Sequence, residues 1–294
     1  PYSYCRWGSI TPTFEMVEAF EYQDGSEGKI DIGQSFETTY EMFQGKDPRF
    51  LASIYVPGSS LLGSTMQFQR GLILKDGSKY YAQSAPGPSY LLETYIDPET
   101  QRKDTIFGKD GGTYTGDASK TGFNIRKFVN ENLKTEAQWD FGKTETSFPI
   151  FRLAEVYLNL AEAAVEMGKY QTEAFEAIKK IRDRAGVVTP FAVVDVEKVR
   201  HERQVELAFE GHRFWDMKRW RIAHLPVDQG GLNGFRGAGL HPFFDLRIRK
   251  YVFEVANDLP KRQRVFTEKN YYTKFSGNDM NSNPSLIQNP EFLN

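Results

Sequence analysis

Apolar and polar positions recur at helical spacing most clearly between about residues 151 and 223. In FRLAEVYLNLAEAAVEMG, Ala154, Tyr157, Leu158, Ala161, Ala164 and Val165 share one stripe, which predicts an amphipathic helix ended by Gly168. TEAFEAIKKIRDRAG sets Ala174, Ile178, Ile181 and Ala185 on one face, and Gly186 stops that second helix. The small Ala161 and Ala164, set against the MGKY turn and the following helix, look like the helix–turn–helix of a tetratricopeptide-type repeat. One hairpin of this kind cannot bury its own apolar face. A third helix is predicted beside it, capped by Asp195 and running to Ile222 ahead of Pro226.

The flanking zones read differently. Residues 1 to about 150 carry closely spaced turn signals: YQDGS, GKDPR, VPGSS, LKDGS, APGPS, GKDGG and TGDAS. A short helix is predicted over 12–20, with Thr11 as cap, Pro12 at the first helical position, and Phe14 and Val17 facing inward. Short extended pieces are predicted in FLASIYV and GFNIRKFV, where β-branched and aromatic residues cluster. Residues 224–294 return to loops, with a glycine cluster at 230–239, the segment YVFEVANDLP and an Asn- and Pro-rich tail.

Composition narrows the function classes. A chain of 294 residues with 39% hydrophobic content can bury a substantial core. Its 37 basic and 39 acidic residues give a formal charge of −2, so no bulk field favours nucleic acid. Aromatic residues make up 14% of the chain, which suits a thick core or loops presenting flat rings to a ligand. Cys5, the single cysteine, excludes an internal disulfide and a cysteine-based zinc site. No apolar run approaches membrane-spanning length. PYSYCRWGSI lacks the charged and apolar regions of a signal peptide, and Pro1 reads as the start of a chain whose targeting segment has been removed.

The stretch VRHERQVELAFEGHRFWDMKRW, Val199–Trp220, concentrates charge, imidazole and indole among apolar residues. An active site and a buried polar network would both look like this. His201 and Glu202 resemble the start of a zinc-protease helix, but that chemistry needs a second histidine at position 205, which is Val205. His212 has glutamates nearby but no companion ligands for a closed metal site. The structural reading pairs Arg203, Glu206, Glu210, Arg213, Asp216 and Arg219 across neighbouring turns and adjacent helices, with His212 in the same network. On that reading Trp215 and Trp220 are packing groups, with arginines stacked on them.

Several segments also carry a resemblance. TPTFEMVEAFEYQDG, KDPRFLASIYVPG, GFNIRKFV, FPIFRLAEVYLNLAEA, ERQVELAFEGHRFWDMKRW and NPSLIQNPEF resemble, in order, the characteristic segments of the SusD/RagB family. These are outer-membrane nutrient-binding lipoproteins of Gram-negative bacteria. The matched pieces span nearly the whole chain, and family members run longer at the N-terminus, so the chain resembles a C-terminal portion. The resemblance implies a mainly α, tetratricopeptide-like α-α superhelix with long irregular loops and a few short β-strands. It implies three zones of one domain: a loop-rich ligand face over 1–150, helices over 151–223, and a loop-rich tail over 224–294. It also implies capture of glycans, in some members peptides, and their delivery to a SusC-like TonB-dependent transporter at the cell surface. Neither catalysis nor a cofactor is implied, and membrane attachment would come only through a lipid anchor outside this chain. One departure is that YVFEVANDLPKRQRVFTEKN stands where the family carries a proline-rich strand.

Ligand residues are not carried over by motif. Flat rings stack on the C–H face of a sugar, so the loop aromatics Trp7, Tyr4, Tyr80, Tyr81, Tyr90 and Trp139 are the candidates, with Tyr2 beside Trp7. The alternative reading of each is a half-buried loop anchor. KDGGTYTGD, 109–117, lacks the alternating acidic residues of a calcium loop and reads as a hairpin turn. GGLNGFRGAG, 230–239, lacks a P-loop lysine and reads as a shaped loop. Two other classes stay open: a glycoside hydrolase, which needs two carboxylates at fixed separation, and a helical-repeat scaffold that binds only proteins.

Overall fold

A computed structural model describes residues 10–81, 94–106, 108, 110, 119–132, 146–257 and 263–292. The chain forms two compact units, one of Pro1–Glu210 with Gly237–Pro260 and one of Gly211–Arg236 with Lys261–Asn294.

The helical part of the first unit follows the apolar stripes. Helices α1 (Phe14–Ala19), α2 (Pro48–Ser53), α3 (Leu153–Glu166), α4 (Gln171–Ala185) and α5 (Val196–Glu206) belong to it. Leu158, Ala161 and Ala164 of α3 meet Ala174, Ala177, Ile178 and Ile181 of α4, and Val199 and Leu207 complete that core. The alanines remove side-chain bulk, so the two helices lie closely against each other. Left-handed backbone at Gly168 (φ 64°) and Tyr170 (φ 59°) makes the turn between them. Gly186 (φ 73°) ends α4 by donating its N–H to the Arg182 and Asp183 carbonyls. Asp195 caps α5 by accepting the Lys198 N–H at 2.8 Å.

The same unit carries more sheet than the short extended pieces predicted. Strands β1 (Ser35–Phe36), β5 (Gly71–Ile73), β6 (Lys79–Tyr81), β10 (Gly239–Asp245) and β11 (Lys250–Ala256) form a sheet in the order β1-β11-β10-β5-β6. β10 and β11 are an antiparallel hairpin pairing Gly239 with Ala256 through Asp245 with Lys250, and β5 runs parallel to β10. Three two-stranded ribbons accompany it: β2 (Ile54–Tyr55) with β9 (Asn124–Ile125), β3 (Ser60–Leu61) with β4 (Ser64–Thr65), and β7 (Thr94–Ile96) with β8 (Lys103–Thr105). A second core of Phe14, Val17, Phe20, Phe43, Phe50, Phe123, Leu240 and Phe253 joins α1, α2 and the sheet. Val205 and Ala208 enter this core, so α5 and its following turn serve both cores at once. An element buried on two sides must also bury polar residues, and these need partners.

Three local predictions are corrected. Helix α1 starts at Phe14 with Thr13 at its cap position, two residues later than predicted, although Phe14 and Val17 are buried as expected. Most of FLASIYV is helix α2, because Asp47 accepts the Arg49 N–H at 2.8 Å and Pro48 opens the turn. Only Ile54 and Tyr55 are extended, paired with Ile125 and Asn124 of the other predicted piece. The single helix predicted from Asp195 to Ile222 is two helices. Phe209 (φ 65°) and Gly211 (φ 82°) are left-handed, ending α5 and starting α6 (His212–Arg219).

In the second unit, Met217 of α6 packs with Ala223 and Phe266, with Leu232 and Tyr271 at the border. A short helix α7 (Gly277–Ser282) has a capping box in which Ser276 and Asp279 satisfy each other's backbone N–H groups. Among the described residues, no helix is long and apolar enough to cross a membrane.

Candidate functional site

Glu202 and Glu206 lie one turn apart on α5, and Glu210 follows in the turn beyond its end. All three are at most 5% exposed. Arg49, held in a fork by Asp47, donates to Glu202 Oε1 at 2.5 Å and Glu206 Oε2 at 2.9 Å. Arg152, at the cap position of α3, reaches Glu206 Oε1 at 2.5 Å and Glu210 Oε2 at 2.7 Å. Arg184 donates to both oxygens of Glu206 at 2.7 and 2.8 Å. Lys127 pairs with Glu210 and donates to the Ala208 carbonyl. Arg182, 1% exposed, donates to Glu202 Oε2 at 2.9 Å, Glu21 Oε2 at 2.5 Å and the Val188 carbonyl at 2.6 Å. Arg203 turns the other way, onto Asn159 Oδ1 at 2.8 Å and Glu155 at 3.7 Å.

Every oxygen of the three carboxylates therefore has a cationic donor. Burial pushes the Glu206 and Glu210 carboxyls up, but hydrogen bonds from Arg152, with Arg49 on Glu206 and Lys127 on Glu210, outweigh it and hold both below the usual range. Carboxylates paired in this way face buried cationic donors rather than a substrate. This arrangement ties α2, α3, α4 and α5 together. It is a structural joint.

The rest of the proposed network lies in the second unit. Asp216 is buried and accepts the Arg219 Nε–H at 2.9 Å, and Arg213 and Arg219 lie over the Trp220 ring at 5.9 and 4.9 Å. His212, half-buried, opens α6. Trp215 departs from the packing role expected of it. It is 65% exposed, touching Phe214 edge-on at 5.5 Å with Lys218 over its ring. The apolar stripe of α5 does not continue through two left-handed residues, so extrapolating it into α6 put Trp215 on the wrong face.

Of the ring candidates, Trp7, Tyr4, Tyr90 and Trp139 lie outside the described residues, as do Tyr2 and most of 109–117. Tyr80 and Tyr81 are on β6, 38% and 46% exposed. Adjacent strand residues point to opposite faces, and each ring is anchored separately. Tyr80 lies 5.6 Å from Tyr95, and Tyr81 meets Phe243 edge-on at 5.7 Å. They form no shared platform.

An open cleft of about 560 Å³ was not anticipated. Tyr40, Gly58, Thr65, Gln67, Thr105, Gly108 and Tyr251 line it, with Glu37 at the rim. Glycine is required at two of these positions. Gly58 has φ 88°, and a Cβ there would sit 2.8 Å from the Tyr40 Cβ. A Cβ on Gly108 would lie 2.0 Å from the Gln67 carbonyl. The Gln69 amide is spent on the wall, donating to the carbonyls of Thr105 at 2.8 Å and Ile106 at 3.0 Å. By contrast, among the described residues no hydrogen bond engages the Gln67 amide, the Thr65 and Thr105 hydroxyls, or the phenols of Tyr40 and Tyr251. Burial raises the Tyr251 phenol above its ordinary range, so it stays neutral and can both donate and accept. Glu37 pairs with Lys250 at 3.0 Å. Half-buried rings beside an uncommitted amide and hydroxyls suit a ligand with alternating C–H faces and hydroxyl groups. The signal in the sequence was scattered over five segments, from Glu37 to Tyr251, which only the fold brings together.

A second hollow, of about 630 Å³, is lined by Glu15, Glu18, Glu21, Asp195, Glu197 and His201 among others. Most of its carboxylates are committed: Glu18 to Lys29, Glu21 to Arg182, Asp195 to Lys198, Glu197 to Arg200, and Glu15 to the Ala238 N–H, while Glu27 stands at the exposed side. Among the described residues, no group of three or more His, Cys, Asp or Glu side chains could hold a metal ion.

Comparison with known proteins gives a consistent picture. The profile of the SusD family matches residues 1–292. Two SusD-like proteins of Formosa agariphila are similar over shorter stretches. P2 is 31% identical over 101 residues, 31% of this chain and 20% of that protein. P25 is 39% identical over 80 residues, 25% of this chain and 15% of that protein. The crystal structure of a SusD-like protein from Bacteroides fragilis superposes with a TM-score of 0.61 at 26% identity, covering 97% of this chain and 47% of that one. A SusD-like carbohydrate binding protein from the same species gives 0.58 at 23% identity, covering 94% and 48%. The chain thus spans about half the length of these solved relatives.

Proposed function

The chain belongs to the SusD family, and from that premise we propose that it is a surface glycan-binding protein which holds sugar in the Tyr40–Tyr251 cleft. The observation that carries this reading is the cleft's pairing of two half-buried phenols with uncommitted amide and hydroxyl groups. A SusD-like relative of the same fold is described as carbohydrate binding. The function is capture at the outer membrane and delivery to a SusC-like TonB-dependent transporter, without chemical change to the glycan. The pairing of Glu202, Glu206 and Glu210 with cationic side chains supports a structural role for these three carboxylates rather than a hydrolytic one.

The test is isothermal titration and affinity electrophoresis with a panel of polysaccharides, while new reducing ends are assayed in parallel. At least one glycan binds and none is cleaved. Gln67→Ala removes about 1 kcal/mol, a single hydrogen bond and roughly fivefold in affinity, and Tyr251→Ala removes more. Trp7→Ala is run alongside. Retained affinity in the cleft variants with loss in Trp7→Ala would move the site to the segment around Trp7, and release of reducing ends would make the protein a hydrolase.

A further inference from the structure

The charges around the Tyr40–Tyr251 cleft bear on which sugars it can hold. Among the described residues that line it there is no lysine, arginine or histidine. The groups left for a ligand are the Gln67 amide, the Thr65 and Thr105 hydroxyls and the two phenols. The lining carboxylate is Glu37, which pairs with Lys250 at 3.0 Å. Glu41 stands directly behind it, accepting the Glu37 N–H and the Thr38 hydroxyl at 3.0 Å each. This edge therefore holds two carboxylates against one ammonium, and that ammonium is occupied. Behind Gln67, the buried Asp110 accepts the Gln67 N–H at 2.9 Å. Carboxyl groups thus stand behind two parts of the lining, and Met66 and Phe68, both fully buried, add apolar wall.

A sugar hydroxyl finds both donors and acceptors in such a site. A uronate or a sulfate would exchange its water for amide and hydroxyl dipoles alone, close to carboxylates of its own sign. Placing like charge against an unwanted ligand is a way to reject one that otherwise fits. Given the glycan reading above, on which this rests, we infer that the cleft selects uncharged glycans and rejects by charge those carrying uronate or sulfate groups on the bound sugars. Glu37 is the specificity-determining residue, because it adds negative charge at the rim and keeps Lys250 from serving as a counter-ion.

Isothermal titration tests this with two sets of oligosaccharides, neutral (glucans, mannans, galactans) and acidic (oligogalacturonate, alginate, sulfated galactan). The tightest neutral ligand is then oxidised at its primary alcohols, which adds carboxylates to an unchanged backbone. The acidic set binds roughly tenfold or more weakly than the best neutral ligand, and oxidation costs that ligand a similar factor. High salt narrows the gap by screening, and Glu37→Gln narrows it roughly several-fold by removing one charge and releasing Lys250. Rejection by shape alone would respond to neither, and a gap that neither treatment moves overturns the assignment to charge. An acidic glycan that binds as tightly as the best neutral one, and is weakened by Gln67→Ala, overturns the charge selection while the glycan reading stands. Absence of binding in both sets removes the glycan reading and the selection with it.

Discussion

Replacing Glu206 by glutamine removes one charge from the centre of the joint and keeps its shape. In the native protein Glu206 accepts from Arg49, Arg152 and Arg184. Glutamine offers one acceptor oxygen and turns its NH₂ group towards guanidinium donors. Arg184 is 61% exposed and relaxes into water, so its share of the loss is small. Arg49 and Arg152, at 11% and 25%, cannot follow. Arg49 keeps Asp47 and Glu202, and Arg152 keeps Glu210, so the loss is that of two charge-assisted hydrogen bonds at about 1.5–3 kcal/mol each, against a total stability on the order of 5–15 kcal/mol. Urea unfolding followed by fluorescence and circular dichroism should therefore show E206Q losing about a third or more of its stability. Arg152→Met combined with E206Q should cost less than the sum of the two single changes, because they share bonds. Glycan affinity should be unchanged while the protein is folded. A loss below about 1 kcal/mol, or lost binding at unchanged stability, would refute the structural assignment of these carboxylates.

Acid should act through the same groups. Glu206 and Glu210 are held below the ordinary value of 4.5, so their contribution is complete above that value and is lost as pH falls through the depressed ones; E206Q should flatten the acid limb of a stability–pH curve. Lys46 donates to the carbonyls of Val17, Phe20 and Gly28, and burial lowers its ammonium to about 8. Between there and 10.5 the unfolded chain holds the proton and the folded one does not, so this residue's contribution rises with pH, and its ¹⁵N resonance should titrate near 8. Gly58→Ala forces a left-handed residue and a Cβ contact of 2.8 Å, so glycan affinity should fall with Tyr40 displaced, and stability should fall by about 1–3 kcal/mol. Trp215→Ser, at an exposed position, should move stability by no more than about 0.5 kcal/mol, which differential scanning calorimetry resolves.

The helices were legible because their cores obey one period. The stripes on α3 and α4 name the residues that meet, and Gly168 and Gly186 mark the ends. Charge on α5 was legible as a network, but its partners were not, since Arg49 is separated from Glu206 by 157 residues. The sheet was hidden by its own composition. β10, GLHPFFD, has Pro242 at its centre and is buried on nearly every residue, so it shows no alternation. The break before α6 depends on Phe209 taking φ 65°, a conformation that its residue type does not announce. The cleft needed the fold itself. None of Tyr40, Gln67, Thr105 and Tyr251 stands out locally, and the aromatic residues that do stand out, Tyr80 and Tyr81, are held apart by strand geometry.

An ion-paired joint holds the helices, and the proposed sugar site is the separate open cleft. A crystal structure with the tightest oligosaccharide from the binding panel tests both halves together. Sugar rings against Tyr40 and Tyr251, hydrogen-bonded to Gln67, with Glu202, Glu206 and Glu210 still fully paired to their arginines, is the predicted result. Sugar lodged against those glutamates, with an arginine displaced, would contradict it.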